Sequence, residues 1–173
     1  MTAPRRLQQH VFRWAIRGPA GVILAIGICL AAAGAFSVLH AATTERVVTD
    51  RHTGLALYGV DPVAYFTDRK TIVGREEFEY RFAGAIWRFG NESNRAAFAA
   101  DPQVYMPRFG GYDPVGIARG VSTPGYPQLW ALVNERLYLF YSVEARAAFI
   151  VDAAATIAAA EARWAEVAHD LAE

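Results

Sequence analysis

The feature that most constrains this chain is an internal repeat at a spacing near 51 residues. Ile86-Trp87-Arg88-Phe89-Gly90-Asn91-Glu92-Ser93-Asn94-Arg95-Ala96-Ala97-Phe98-Ala99-Ala100-Asp101 returns as Leu137-Tyr138-Leu139-Phe140-Tyr141-Ser142-Val143-Glu144-Ala145-Arg146-Ala147-Ala148-Phe149-Ile150-Val151-Asp152, with six of sixteen positions identical. Upstream the spacing becomes 52, where Gly59-Val60-Asp61-Pro62-Val63-Ala64 faces Gly111-Tyr112-Asp113-Pro114-Val115-Gly116 and Phe78 faces Trp130. A one-residue loss at the turn between paired strands is the expected source of that change. A chain that repeats an Asp-Pro-Val turn, an aromatic strand and an Arg-Ala-Ala-Phe segment in the same order builds one small unit twice.

Each copy reads alike. Asp-Pro is a good helix start, since the carboxylate accepts from unpaired N–H groups and proline at the first position loses no bond. Asp61 and Asp113 are therefore expected to open short helical turns. Glu77-Phe78-Glu79-Tyr80-Arg81-Phe82 alternates polar and aromatic residues, as a half-buried strand does. Ala83-Gly84 turns the chain into a partner strand over 85–89. In the second copy, strands over 129–133 and 136–141 flank Asn134-Glu135. A helix follows each hairpin, capped by Asn91 or Ser142. The first stops near Asp101-Pro102, while the second is expected to run on through the alanine-rich stretch. Its apolar positions Phe149, Ala153, Ile157, Ala160, Trp164, Val167 and Leu171 keep helical spacing. The fold class is thus α+β: two pseudo-repeated units of helical turn, β-hairpin and helix (54–102 and 106–153), a long C-terminal helix, and an N-terminal transmembrane helix.

That last element rests on residues 20–39, twenty consecutive residues without a formal charge. At 1.5 Å per residue such a run spans about 30 Å, the thickness of a bilayer core. Arg5, Arg6, Arg13 and Arg17 precede it, and Glu45 and Asp50 follow it, so the positive-inside bias leaves the N-terminus in the cytoplasm and the rest outside. Residues 1–18 read as a basic leader, 19–42 as a transmembrane anchor or a signal peptide, 43–53 as a linker and 54–173 as the folded domain. Ala35-Phe36-Ser37 would serve as a cleavage site for the signal-peptide alternative. The expected location is a membrane, single-pass, with the domain extracytoplasmic, or else exported and cleaved.

Charge and cysteine content exclude several functions. Of 17 basic and 17 acidic residues, four arginines lie before the apolar run, leaving 13 basic against 17 acidic beyond it. A nucleic-acid partner, which favours a strongly basic domain, is not expected. The one cysteine, Cys29, lies inside the apolar run, so the folded part has no thiol for a disulfide, a zinc ribbon, an iron–sulfur cluster or a nucleophile. No serine sits in a nucleophile elbow and no glycine run has phosphate-loop spacing, so no enzyme activity is expected. The candidate ligand-binding residues are the repeat-equivalent pairs Asp61 and Asp113, Arg95 and Arg146, together with Tyr65 and Tyr112. The two aspartates either cap helices or converge as paired carboxylates suited to acid–base work or a hard cation. His52, with Asp61 and Asp113, is the remaining metal candidate. Tyr58, Tyr65, Phe66, Tyr105, Tyr112 and Tyr126 form core if buried and line an apolar groove if open.

Tyr58-Gly59-Val60-Asp61-Pro62-Val63-Ala64-Tyr65-Phe66, the strand Ala85-Ile86-Trp87-Arg88-Phe89 running into its helix, and Tyr105-Met106-Pro107-Arg108-Phe109-Gly110-Gly111-Tyr112 together resemble the exported YHS-domain proteins of bacteria. The likeness runs from about Gly54 to Trp164. It implies a small α+β domain with a role in binding metal and no known enzyme activity. Exported relatives often carry a cysteine directly after Gly-Gly-Tyr, where this chain has Asp113. Aspartate offers a hard oxygen where thiolate selects soft ions, so any bound metal is expected to be an oxygen-preferring cation. The simpler expectation is no cofactor and no stoichiometric metal, with Asp113 acting as a cap that asparagine could replace at little cost. The functional expectation is a membrane-tethered binding or accessory module holding a small ligand or hard cation between its repeats. The alternative is a partner of another envelope protein through an aromatic patch, and a hydrolase-type enzyme ranks last.

Overall fold

The computed structural model describes residues 46–171. The leader and the apolar run lie outside the described residues. Among the described residues, no helix is long and apolar enough to cross a membrane.

At the start of the described residues Thr49 bridges to Ala56, directly before a tight turn, Leu57–Gly59. Helix α1 (Ala64–Thr67) precedes the hairpin of β1 (Arg75–Phe82) and β2 (Ala85–Phe89), then α2 (Glu92–Ala100) and α3 (Pro102–Tyr105). A second turn, Arg108–Gly111, leads to α4 (Pro114–Ile117), to the hairpin of β3 (Tyr126–Val133) and β4 (Arg136–Phe140), and to α5 (Val143–Val151) and α6 (Ala153–Asp170). The fold is therefore mixed helix and strand, with two small antiparallel sheets and a long C-terminal helix.

Every boundary of β3, β4 and α5 lies 51 residues beyond that of β1, β2 and α2. Both hairpins carry a bulge at the same place, between Arg75 and Glu79 and between Tyr126 and Trp130. Both close with two residues at positive φ, Ala83-Gly84 and Asn134-Glu135, as a two-residue hairpin turn of matching twist requires. Both following helices are capped as expected: Asn91 Oδ1 accepts from Asn94 N–H and Ser142 Oγ from Ala145 N–H. The change of spacing is not at the hairpin turn, because the two turns are equally long. It falls in the preceding loop: Asp61 N–H donates to Ile72 O and Asp113 N–H to Thr123 O, so a 52-residue offset has become 51. Phe78 accordingly matches Leu129 rather than Trp130.

The helix expected to run on after the second hairpin is two helices. It breaks at Asp152 (φ −148°, ψ 78°), as the first breaks at Asp101 (φ −147°, ψ 78°). Asp152 Oδ1 accepts from Ala155 N–H, a bond that a residue inside a continuous helix has no need to make. The predicted apolar stripe holds across the break. Phe149, Ala160 and Val167 are buried, and Ala153, Ile157, Trp164 and Leu171 pack partly buried on the same cluster.

Two apolar clusters result. In one, Phe98 meets Trp87 at 4.9 Å and Phe89 at 5.2 Å between ring centroids. In the other, Phe149 meets Tyr138 at 5.1 Å and Phe140 at 5.0 Å. Strand β4 serves both: Tyr138 and Phe140 face the second cluster, while Leu137 and Leu139 join the first. Strand β2 serves only one, because its Arg88 pairs with Glu79 at 2.8 Å and Glu76 at 2.9 Å. The halves are also tied by polar bonds. The Tyr65 hydroxyl donates to Pro127 O at 2.8 Å, and the Arg136 guanidinium to Gln103 O at 2.8 Å.

The segment 46–50 lies along this seam. Val48 N–H donates to Gly110 O at 2.8 Å and Val48 O accepts from Leu57 N–H at 3.0 Å. Gly110 sits at φ +61°, where a Cβ would stand 1.8 Å from Arg46 O.

Two measurements check this packing. Phe98→Ala and Phe149→Ala should each cost about 3–5 kcal/mol in chemical denaturation, because both rings are fully buried. Gly110→Ala should raise hydrogen exchange at Val48 N–H, since the added methyl has no room beside Arg46; unchanged protection at Val48 would show that the seam accommodates it.

Candidate functional site

The two aspartates are buried, Asp61 at 0% and Asp113 at 4% exposure. Asp61 Oδ1 accepts from Val63 N–H at 2.8 Å and Ala64 N–H at 3.3 Å, at the start of α1. Its Oδ2 accepts from Gly90 N–H at 2.8 Å and the Asn94 amide at 2.6 Å. Asp113 Oδ1 accepts from Val115 N–H at 2.8 Å and Oδ2 from Tyr141 N–H at 3.1 Å. Asp113 thus caps α4, Asp61 bonds the turn that opens α1, and each also holds the end of its own hairpin. Buried charge is tolerable only when N–H donors surround it, and both sites supply them. The bonds of each aspartate stay within its own half.

The other predicted residues are dispersed. Arg95 pairs with Glu92 at 2.6 Å on the exposed face of α2. Arg146, its repeat equivalent, donates Nε to Trp130 O at 2.8 Å. Among the described residues, neither arginine pairs with Asp61 or Asp113. His52 is exposed, and its N–H bonds Asp50 Oδ1 at 2.9 Å, which also accepts from the Thr53 N–H and hydroxyl. The Thr53 bonds hold the Asp50 carboxyl below the usual range. Among the described residues, no group of three His, Cys, Asp or Glu side chains is placed to hold a metal ion.

Tyr65 is buried, with its ring edge-on to Trp130 at 5.2 Å and its hydroxyl on Pro127 O. Burial pushes its phenol well above the ordinary value. Tyr112 is buried too, 6.5 Å from the Trp164 ring, and its edge lines a cleft of about 550 Å³. That cleft runs along Val47, Val48, Asp50 and Arg51 on one side and Ser122 and Pro124 on the other. Outside its lining stand exposed tyrosines that the sequence pattern does not separate from core. Tyr126 and Tyr141 stack at 5.7 Å and are 47% and 51% exposed, and Tyr58 is 42% exposed. Strand β3 packs on the Leu57–Gly59 turn, which brings Tyr58 towards Tyr126. Burial pushes the Tyr58 phenol up, with Tyr126 and Asp50 adding to the shift and Arg51 opposing it.

Tyr58 holds a costly backbone. Leu57, Tyr58 and Gly59 all lie at positive φ (50°, 54° and 80°), as do Phe109, Gly110 and Gly111 (55°, 61° and 94°). Burial of Leu57 and Phe109 offsets their strain, and glycine relieves it at 110. At 58 the chain keeps a half-exposed tyrosine in a conformation that costs a side chain of order 1 kcal/mol. The strained position could have been suspected from Tyr58 standing opposite Gly110 in the repeat.

No protein family, curated protein or solved structure matches this chain.

The carboxylate geometry corrects the expectation that asparagine would replace Asp113 at little cost. Both oxygens accept from backbone N–H groups, and an amide would turn its NH2 onto one of them. Asp113→Asn and Asp61→Asn should each lose about 1–3 kcal/mol in denaturant titration, with Asp61 the more sensitive because it holds four donors rather than two. A second test uses Tyr65. Its folded-state pKa lies above the unfolded one, so its contribution is complete below about pH 10 and falls as pH rises beyond it. Tyr65→Phe should flatten the alkaline loss of stability while costing about 0.5–1.5 kcal/mol at pH 7 for the bond to Pro127.

Proposed function

We propose that this chain is an exported, membrane-tethered binding module of the YHS type, with no catalytic activity, built from two copies of a duplicated unit. The observation that carries the reading is the cleft of about 550 Å³ lined by Tyr112 together with Val47, Val48, Asp50, Arg51 and Pro124. Cavities of this size suit small ligands, and tyrosines supply apolar area and a hydroxyl together. The buried aspartates support the non-catalytic side of the reading, since their oxygens already serve backbone donors. The constant 51-residue offset of strands and helices supports duplication. The arginine-led apolar run supports the tether and the periplasmic location.

A second reading is favoured by α5, where Val143, Ile150 and Val151 are exposed at positions filled by Glu92, Ala99 and Ala100 in α2. An apolar helix face of that kind suits another envelope protein.

Alkaline phosphatase fused after Glu173 should be active in intact bacteria and sediment with membranes. Activity confined to a cytoplasmic reporter would overturn the orientation, and a soluble mature chain beginning near Val38 would replace the anchor with a signal peptide. Purified protein should turn over neither esters nor phosphoesters; turnover that disappears in Asp113→Asn while the fold persists would make the chain an enzyme.

A further inference from the structure

The two halves act as controls for each other, because the same carboxylate stands in the same local frame twice. Asp61 accepts four hydrogen bonds, the last from the Asn94 amide at 2.6 Å. Among the described residues, Asp113 accepts two, both from backbone N–H groups. The residue matching Asn94 is Ala145, third in α5 as Asn94 is third in α2. A carboxylate offers about four acceptor sites, so Asp113 keeps capacity that its own half does not use. A pocket of about 310 Å³ opens beside it, lined among others by Asp113, Val115, Thr123, Ser142, Ala145 and Ala148.

We propose that this pocket binds a primary ammonium group on a short apolar stem, donating to Asp113 as the Asn94 amide donates to Asp61. The first half supplies the template: an NH2 group fits against the carboxylate when the helix residue provides it. A cation does so more strongly than a neutral amide, because an ammonium adds charge–charge attraction to the hydrogen bond. Val115, Ala145 and Ala148 give the stem apolar walls, and the Thr123 and Ser142 hydroxyls can accept the remaining protons. Of the two charged residues that share the pocket wall with Asp113, Glu144 favours a cation. Arg119 is turned to its own backbone, with Nε on Val115 O at 3.2 Å. Tyr141 also lines this site, which shares no lining residue with the cleft beside Tyr112 and does not depend on it.

The test is an NMR titration of the ¹⁵N-labelled full chain with n-propylammonium chloride. The Tyr141 and Val115 amides, both bonded to Asp113, should shift and saturate, while the Val63 and Gly90 amides on Asp61 should not. Ala145→Asn places an amide against Asp113 from within the chain; it should weaken binding by about tenfold or more, equivalent to about 1.4 kcal/mol, and raise the melting temperature. Ala148→Leu, at an exposed position, should fill the pocket and abolish the response without touching the carboxylate. Shifts that never saturate, equal shifts with potassium or magnesium chloride, or saturation that survives both substitutions would overturn the proposal.

Discussion

The fold depends on a carboxylate buried at the junction of helix and hairpin, used twice. Asp61 and Asp113 each join the first turn of a helix to a backbone N–H 29 or 28 residues on, at Gly90 and Tyr141. Backbone N–H groups at a helix start have no partner within the helix, and a hairpin's last N–H has none within its ladder. One side chain satisfies both. Because a bond to a charged acceptor is worth about 1.5–3 kcal/mol and a buried unpaired charge costs more, the joint is geometrically strict. It fixes where the hairpin leaves the turn, and so sets Trp87 and Phe89 over Phe98, and Tyr138 and Phe140 over Phe149.

Repetition alone would give two small units with one apolar face each. They nest because the second hairpin departs from the first. Ile86-Trp87-Arg88-Phe89 alternates, so its outer face meets water through Arg88 and its glutamates. Leu137-Tyr138-Leu139-Phe140 does not, and β4 is buried on both faces. A strand covered on both sides reads as a continuous apolar run. The difference between the copies is what turns two units into one core.

Much of this was legible in the sequence. Asp-Pro turns, alternating strands, caps at Asn91 and Ser142 and the stripe from Phe149 to Leu171 are local signals, and local signals survive folding. Three things were not legible. The break at Asp152 hides within an alanine-rich run of high helix propensity, and only its match to Asp101 betrays it. The loop that absorbs the one-residue offset has no side-chain pattern of its own. The aromatic residues look alike in sequence, yet Tyr65 is buried against Trp130 while Tyr58, Tyr126 and Tyr141 reach solvent, because burial depends on how the halves nest. The candidate site was therefore only half visible: the aspartates were found, but their double duty needed the distances to Gly90 and Tyr141.

The seam along Val48 has a mechanical consequence. This residue is bonded to Gly110 on one side and Leu57 on the other, so a force applied at Arg46 is carried first by those two hydrogen bonds. The hairpins and their aspartate joints lie behind them in the load path. Tension on the N-terminal end would therefore draw Val47 from one apolar cluster and Val48 from the other as those bonds break. The strip is thus anchored in both halves at once, and pulling experiments should register its release together with the opening of the clusters.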